Sequence, residues 1–468
     1  MPRTILLILG ILSAASAAAP RPSAPALTAY LGNISDWIMT TDVGSNNITV
    51  NHTVDPNGPS HIFINGNLAR VLLAAYKLGS SSGGGGGGAL PRRDAYLAEG
   101  LRWCRSFTAL QISIATSTGE AAGFWDTGYS EVYIADTGTA VVALALCHEL
   151  EPNAAHAASY LRAMRRFALF VRLGCTLAPR IGSAAASGAC PPKGQGWVIG
   201  AGTPGADASQ AGALGDGWYK GALNTAPYTI STATLGSCGL VELDVANRAG
   251  PAPLPDLALE PIARAAAAWL VSNRTADGRI PYTITPAPTP SSRTTYQPIT
   301  YSAESFVDVD LRYAPAAPGV AVLPSLAPLR ATCDWLVANQ SADGSWGKFG
   351  SGGGGSDAAA AATGRLGFTA SGDAQRSPRA LTLLQWCYQR LVPADPAHQM
   401  AVTKYANFLL EPANSANFGV NILSLPTGFV GLAIADLIQP WVTFRSSSRA
   451  GYKLGAHPLG FGSAGTTQ

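Results

Sequence analysis

Carboxylate and phenol side chains recur at the starts of three predicted apolar helices. These segments, each with a tyrosine, a small polar residue and then a hydroxyl or carboxylate, are 131–139, 227–234 and 298–305. Two carboxyl groups can supply a general acid and a base or nucleophile, and a phenol can transfer a proton. We therefore expect Asp136 and Glu304 to be catalytic, one with a raised pKa, and Tyr133 and Tyr301 to be alternative proton-transfer groups. Serine and aspartate also suit helix N-caps, so capping alone is the alternative explanation.

Aromatic and charged side chains lie close to the same segments. Two loops, 123–129 and 215–220, combine tryptophan with aspartate and tyrosine. An aromatic face beside a carboxylate suits a sugar ring, while packing between helices is the alternative role for each tryptophan. Arg379 lies at the start of another predicted helix and could bind a substrate carboxylate in a bidentate manner. The alternative is that it pairs with a neighbouring acid of the protein. The expected substrate-binding residues are Trp125, Asp126, Tyr129, Glu131, Trp218, Tyr228 and Arg379.

The composition excludes several classes of partner. The 468 residues carry a formal net charge of only +3, and the 31 Lys and Arg residues are spread along the chain. This charge distribution does not favour binding to nucleic acid or to an anionic membrane surface. No C-x-x-C or H-E-x-x-H spacing occurs, and we expect neither a metal nor another cofactor. Only 13% of the residues are charged, so few carboxylates are available for catalysis.

Internal repeats indicate the elements that must position these groups. The segment Trp269–Gly278 recurs 66 residues later as Trp335–Gly344. In each copy an amphipathic helix is followed by a glycine-containing turn and a second, more apolar helix. The second helices are predicted at 65–78, 136–150, 231–245, 302–313, 377–391 and 427–438. Because stacked repeats bury a face that none can bury alone, the pattern predicts a single all-α domain, a closed double ring of six helical hairpins.

The segment Asn339–Gly347 resembles the Q-x-x-x-G-x-W repeat of squalene-cyclase and prenyltransferase toroids. Similar turns occur in the six-hairpin glycosidase and polysaccharide lyase superfamily. The resemblance covers this copy and a partial one at 277–279 that lacks the tryptophan, and it implies an (α/α)6 toroid without choosing among functions. In such a ring the inner helices are parallel, and their N-termini, with unpaired N–H groups, meet at one mouth. The three segments with candidate catalytic groups would lie there.

The N-terminus has the pattern of a secretory signal peptide. A basic start at Arg3, an apolar run from Ile5 to Leu12 and a small-residue site at Ala15-Ser16-Ala17 predict a signal over residues 1–19. The toroid is then expected over 20–445, followed by a polar tail over 446–468. Two low-complexity runs, 80–88 and 351–363, are interpreted as surface insertions, and no other segment is expected to span a membrane. Five glycosylation sequons agree with secretion, at Asn33, Asn47, Asn51, Asn273 and Asn339.

Seven cysteines cannot all pair within one chain. Cys175 and Cys190 flank a short Gly/Ala/Ser loop and form the first predicted disulfide. Two weaker predictions, Cys104 with Cys147 and Cys333 with Cys387, each place one cysteine on either helix of a hairpin. Cys238 would remain as a buried thiol.

Three functions fit this sequence. The first is a secreted carbohydrate-active enzyme, a glycoside hydrolase that uses Asp136 and Glu304 on an oligo- or polysaccharide. The second is a polysaccharide lyase or epimerase, in which Tyr133 or Tyr301 transfers the proton and Arg379 neutralises a uronate. The third is a secreted toroid that binds glycans or proteins without turnover. The sequence leaves the substrate and the oligomeric state open.

Overall fold

The computed structural model describes fourteen stretches of the chain: 20–42, 62–80, 90–116, 121–125, 132–177, 211–219, 222–227, 232–233, 239–249, 259–281, 297–314, 322–346, 378–412 and 424–445. The predicted signal peptide and polar tail lie outside these stretches, as do the low-complexity runs apart from Ser80. None of the described helices is long and apolar enough to cross a bilayer.

Twelve α-helices occur in the described residues, and they alternate between an outer and an inner layer. The outer helices are α1 (Ala24–Asp42), α3 (Arg93–Leu110), α5 (Ala154–Leu177), α7 (Leu259–Ser272), α9 (Arg330–Ala338) and α11 (Pro396–Leu410). The inner helices are α2 (Ile62–Ser80), α4 (Ile134–Leu150), α6 (Leu240–Ala249), α8 (Gln297–Tyr313), α10 (Ala380–Arg390) and α12 (Ser424–Ile438). A 3-10 helix, Pro324–Leu329, leads directly into α9.

The inner helices form a closed ring. Each contacts the next inner helix along the chain, and α12 contacts α2. Residues 140–147 of α4 are apolar and buried throughout, as expected of a helix enclosed on every side. This arrangement confirms the predicted all-α fold of six helical hairpins and defines the protein as an (α/α)6 toroid.

Two small antiparallel sheets, which the sequence did not predict, are inserted between helices. Strands β1 (Ile112–Ala115) and β2 (Ala121–Phe124) form a hairpin after α3. Strand β3 (Val132–Tyr133) leads directly into α4 and pairs with β4 (Gly215–Tyr219), which pairs with β5 (Ala222–Pro227). Because β3 immediately precedes an inner helix, the second sheet lies at the mouth where the inner helices begin.

The 66-residue repeat is a repeat of turns. Gly212, Gly278 and Gly344 are spaced 66 residues apart and have φ angles of +98°, +99° and +91°. A Cβ atom on any of them would lie within 2.5 Å of a backbone carbonyl oxygen, that of Ala265, Ala331 or Lys404 on the next outer helix. Glycine is therefore required both for the left-handed backbone and for the close approach. Gly212 is a further copy that the sequence pattern did not reveal.

Gln340 and Trp346 of the Q-x-x-x-G-x-W segment join neighbouring hairpins. Gln340 Nε2 donates to Ala401 O on α11 (2.8 Å), and Trp346 Nε1 donates back to Leu336 O on α9 (2.8 Å). These hydrogen bonds pair backbone groups of two outer helices with one loop, so the motif stabilises the outer layer.

A second copy of this motif is interrupted by the β1–β2 hairpin. Gln111 Nε2 donates to Ala163 O on α5, and Trp125 Nε1 donates to Phe107 O on α3, both at 2.8 Å. The Trp125 side chain is buried, and its ring packs 5.3 Å from that of Phe167. Trp125 therefore has the structural role that was the alternative to sugar binding, because no face of its indole is left for a ligand.

Among the described residues, two disulfides link outer to inner helices of the same hairpin. Cys104 on α3 bonds Cys147 on α4, and Cys333 on α9 bonds Cys387 on α10. Both pairings confirm the weaker predictions. Cys190 lies outside the described residues, so the predicted Cys175–Cys190 bond stays a prediction.

Candidate functional site

A buried cluster of charges crosses the inner ring and includes the predicted catalytic Glu304. The Glu304 carboxylate on α8 accepts a hydrogen bond from Arg70 Nη1 on α2 at 2.9 Å. Its other oxygen lies 2.5 Å from Nη2 of Arg379, and Arg379 is the residue immediately before α10. Because α2 and α8 are the first and fourth helices of the ring, the Arg70–Glu304 pair spans its interior.

Two further residues extend the cluster to α12. Arg379 Nη1 donates to Asp436 Oδ2 at 3.0 Å. Asp436 also accepts hydrogen bonds from the hydroxyl and the backbone N–H of Thr443, at 2.9 to 3.2 Å. The helices α2, α8 and α12 and the start of α10 thus meet in one network of ion pairs and hydrogen bonds.

Glu304 differs from the other acids of the ring interior in its access to solvent. Its side chain is 13% exposed, whereas those of Asp436 and Asp310 are 0% exposed. Asp310, on the same helix as Glu304, accepts from Arg390 Nε (2.7 Å) and from Trp386 Nε1 (3.0 Å). Within the network Glu304 is therefore the carboxylate that solvent reaches.

Electrostatics keep Glu304 ionised. Burial by itself raises the pKa of this carboxyl, but the positive charges of Arg379 and Arg70 outweigh it, and the pKa is lowered from 4.5. A group that has lost its proton at neutral pH can act as a base, a nucleophile or a stabiliser of positive charge. It cannot serve as the general acid, so a second residue must hold the transferable proton.

An aromatic pair and an amide lie close to this carboxylate. Tyr301 precedes Glu304 by one turn of α8, and its ring meets that of Phe429 on α12 edge-on at 5.6 Å. Asn67 on α2 accepts a hydrogen bond from Arg70 Nη1 (3.3 Å), and its buried Nδ2 has no partner among the described residues. A buried amide N–H without a protein acceptor is suited to a ligand oxygen.

The second sheet brings together two other predicted residues. Trp218 on β4 pairs with Val132 on β3, and Tyr133 is the next residue of β3. Asp136 follows in the first turn of α4, two residues after its start. The side chains of Tyr133, Asp136 and Trp218, and the whole of Asp126, Tyr129, Glu131 and Tyr228, lie outside the described residues.

Two acids of the protein itself pair with Arg379, for which substrate binding was predicted. Its side chain is fully buried, and its two terminal nitrogens face Glu304 and Asp436. This internal pairing was the alternative to substrate binding. A substrate carboxylate would have to displace one of these two acids to reach the guanidinium.

Sequence reasoning missed Arg70 and Thr443, and it treated Asp436 only as a residue of a core helix. Arg70 and Asp436 are single charges inside apolar helical runs, Leu68–Ala75 and Gly428–Ile438. A lone buried charge requires a partner, so this pattern was a usable signal. It does not reveal which distant residue supplies the partner.

One group of possible metal ligands occurs among the described residues, between two outer helices. Single ligand atoms of Asp334, Asp395 and His398 all lie within 4.8 Å of one another. His398 Nε2 is 2.9 Å from Asp334 Oδ1, and Asp395 caps α11 by accepting from Ala397 N. The contact between His398 and Asp334 joins α11 to α9, whereas Asp395 caps its own helix.

The described sequons lie at the surface of the outer layer. Asn33 on α1 and Asn339 after α9 are exposed, and Asn273 is partly exposed. Asn339 and Asn273 each donate through Nδ2 to the backbone oxygen of the tryptophan four residues earlier, at 2.8 Å. Asn47 and Asn51 lie outside the described residues.

Comparisons with known proteins show similarity to solved structures but to no protein family. No protein-family model and no curated protein sequence matches the chain. A GH76 alpha-mannanase from Bacteroides thetaiotaomicron matches with 10% sequence identity and a TM-score of 0.42, over 84% of this chain and 96% of that one. The identity and TM-score are too low to assign this chain an activity.

Proposed function

We propose that this protein is a secreted carbohydrate-active enzyme, a glycoside hydrolase that binds an oligo- or polysaccharide at the end of the ring where the inner helices begin. The observation that carries the proposal is the ionised, partly exposed Glu304 beside Tyr301 and Phe429. Tyr301 is partly exposed, so its ring can pack on the apolar face of a sugar, while the buried Phe429 holds that ring edge-on. Such a site can hold a glycan beside a carboxylate.

The electrostatics divide the catalytic roles. Hydrolysis of a glycosidic bond uses one protonated and one ionised carboxyl group. Glu304 is the ionised one, the base or nucleophile, because Arg379 and Arg70 keep its pKa low. Asp136, in the first turn of α4, is then our candidate for the general acid. The separation between the two carboxyl groups would set inversion or retention.

The pairing of Arg379 favours hydrolysis over elimination. A lyase must neutralise the uronate carboxylate of its substrate, and the candidate cation for that task already contacts two acids. A neutral glycan requires no such displacement. The expected substrate is therefore a neutral glycan, and the expected reaction is hydrolysis of its glycosidic bond.

The hydrolase is tested by release of reducing ends from a panel of neutral and uronate-containing polysaccharides. Glu304→Gln and Asp136→Asn should each lower kcat by a factor of about 100 or more, a usual contribution of acid–base catalysis. Asp277→Asn, which changes an exposed acid on an outer turn, is the matched control and should retain full activity. Glycan binding without turnover by the folded wild type would instead support the non-catalytic toroid, and an unsaturated product would support the lyase.

Secretion is part of the same proposal. The predicted signal peptide, the two disulfides and the exposed sequons Asn33 and Asn339 support an oxidising, glycosylating route. Expression in a eukaryotic host should deliver the protein to the medium, and enzymatic deglycosylation should lower its mass. Secreted protein without any such mass change would refute the glycosylation.

A further inference from the structure

A buried segment after α12 returns into the ring and contacts three inner helices. We call this segment, 439–445, the strap; its residues Trp441–Arg445 are all buried. The backbone oxygen of Thr443 accepts from Arg70 Nη2 (3.4 Å), and that of Phe444 accepts from Lys77 Nζ (2.9 Å), both on α2. Arg445 N donates to Glu242 on α6 (3.3 Å).

The strap is connected to Glu304 by two routes. In the first, Thr443 donates to Asp436, Asp436 accepts from Arg379, and Arg379 pairs with Glu304. In the second, the Thr443 carbonyl accepts from Arg70, which donates to Glu304. Thr443 thus contacts Asp436, which is the partner of Arg379, and also contacts Arg70 directly.

We propose that Asp436, held by Thr443 of the strap, is a positioning residue that sets the orientation and ionisation of Glu304 through Arg379. This inference rests on the proposed function, in which Glu304 is the catalytic carboxylate. A guanidinium is a rigid planar fork, so fixing Nη1 on Asp436 also fixes Nη2 on Glu304. Asp436 further takes a share of a positive charge that would otherwise act on Glu304 alone.

The charged groups around Glu304 allow this effect to be isolated. On the described residues they are Arg70 from α2, Arg379 from α10, Asp436 from α12 and, one turn further along α8, Asp308. The helices α6 and α7 also pack on α8. Their acids Asp244 and Glu260 contact Arg248. The third acid, Glu242, accepts from Arg445 N of the strap. Removing the Asp436 charge therefore changes the field at Glu304 mainly through Arg379.

The test compares Asp436→Asn with a control at the other end of the strap. Asparagine keeps an oxygen that can accept from Arg379 and Thr443, but it lacks the charge. The control, Glu149→Gln, also removes one negative charge, next to Lys77, which holds the strap at Phe444. The readouts are the pH dependence of kcat and KM and a ¹³C NMR titration of the Glu304 carboxyl, assigned by its absence in Glu304→Gln.

In Asp436→Asn the Glu304 titration and the acidic limb of the kcat profile should both move to lower pH, by about one unit. Thr443→Val, which removes the hydroxyl at similar size, should lower kcat by about tenfold at unchanged KM, and Thr443→Ser should restore it. Glu149→Gln should match the wild type in every readout. Since Thr443→Val retains all charges, it carries the test if Asp436→Asn fails to fold.

An unshifted Glu304 titration in folded Asp436→Asn would overturn the inference, as would equal shifts in Asp436→Asn and Glu149→Gln. Failure of the proposed function would give a different combination of results for glycan hydrolysis and for the Glu304 titration. If the wild type hydrolyses no glycan while Asp436→Asn still shifts the Glu304 titration, the positioning role stands and the hydrolase does not.

Discussion

Replacing Glu304 with glutamine removes the carboxylate that two buried arginines share. The side chains of Arg70 and Arg379 are 1% and 0% exposed, so water cannot take over the lost interaction. Breaking a buried ion pair on one side costs about 3–5 kcal/mol because the remaining charge stays desolvated. Arg379 keeps Asp436, and Arg70 keeps hydrogen bonds to Asn67 and Thr443. We therefore expect the lower end, a loss of about 3 kcal/mol in the free energy of unfolding.

The assay is urea unfolding at neutral pH and at a series of acidic pH values. The pKa of Glu304 is lowered in the folded state, so its stabilising contribution is complete above the unfolded value of 4.5 and is lost as the pH falls through the folded value. The wild type and Glu304→Gln should thus converge in stability at low pH. The double variant Arg70→Met/Glu304→Gln should recover part of the loss, because one uncompensated charge is gone. A cost below about 1 kcal/mol, as for an exposed pair, would refute the reasoning.

Three further predictions concern the scaffold. Gly344→Ala should lower the free energy of unfolding by at least about 2 kcal/mol, because residue 344 has φ +91° and the new Cβ would lie 2.5 Å from Lys404 O. Calorimetry should show a lowered Tm, and an unchanged Tm would contradict the turn geometry. Trp346→Phe removes the hydrogen bond to Leu336 O and should cost about 1–3 kcal/mol in urea unfolding; a smaller loss would mean that the indole N–H is dispensable. Burial lowers the pKa of His148 from 6.5 to about 4, so the unfolded state binds more protons between these values and stability should fall by up to about 3 kcal/mol as the pH drops through them. His148→Gln should lose this component of the pH dependence, and an identical pH profile would rule it out.

The outer layer was predictable because its contacts repeat at a fixed spacing. Gly278 and Gly344 occupy equivalent turns, and each approaches the backbone of the next outer helix. The same hairpin geometry underlies the two confirmed disulfides, since adjacent antiparallel helices bring cysteines such as Cys104 and Cys147 opposite each other. Local periodicity is sufficient to predict contacts of this kind.

The interrupted motif shows where this signal fails. Gln111 and Trp125 make the same contacts as Gln340 and Trp346, but the inserted β1–β2 hairpin increases the spacing between the two residues. Without the fixed spacing, Trp125 looked like a ligand-binding aromatic in a loop. Its burial follows from the contacts of the hairpin, which a single sequence does not encode locally.

The charge network could not be predicted because its partners are far apart in the chain. Arg70 and Glu304 are 234 residues apart, and Arg379 and Asp436 are 57 apart. The sequence predicted Glu304 at the start of an inner helix and assigned no partner to it, but α8 begins at Gln297, seven residues earlier, so Glu304 lies about two turns inside the helix. The structure replaces an isolated candidate acid with a carboxylate whose ionisation depends on two arginines.

Charged residues are scarce in this chain, so the few that lie inside the ring call for an explanation. Only 13% of the residues are charged, and the inner helices are mainly apolar, so each charge inside the ring carries a cost that selection for stability alone would remove. Asp310 is wholly buried against Arg390, as a purely structural pair would be. Glu304 has two arginines and retains contact with solvent. A partly exposed carboxylate kept ionised by two buried cations is a costly arrangement for packing, whereas it suits a group that must remain a base while a ligand is bound.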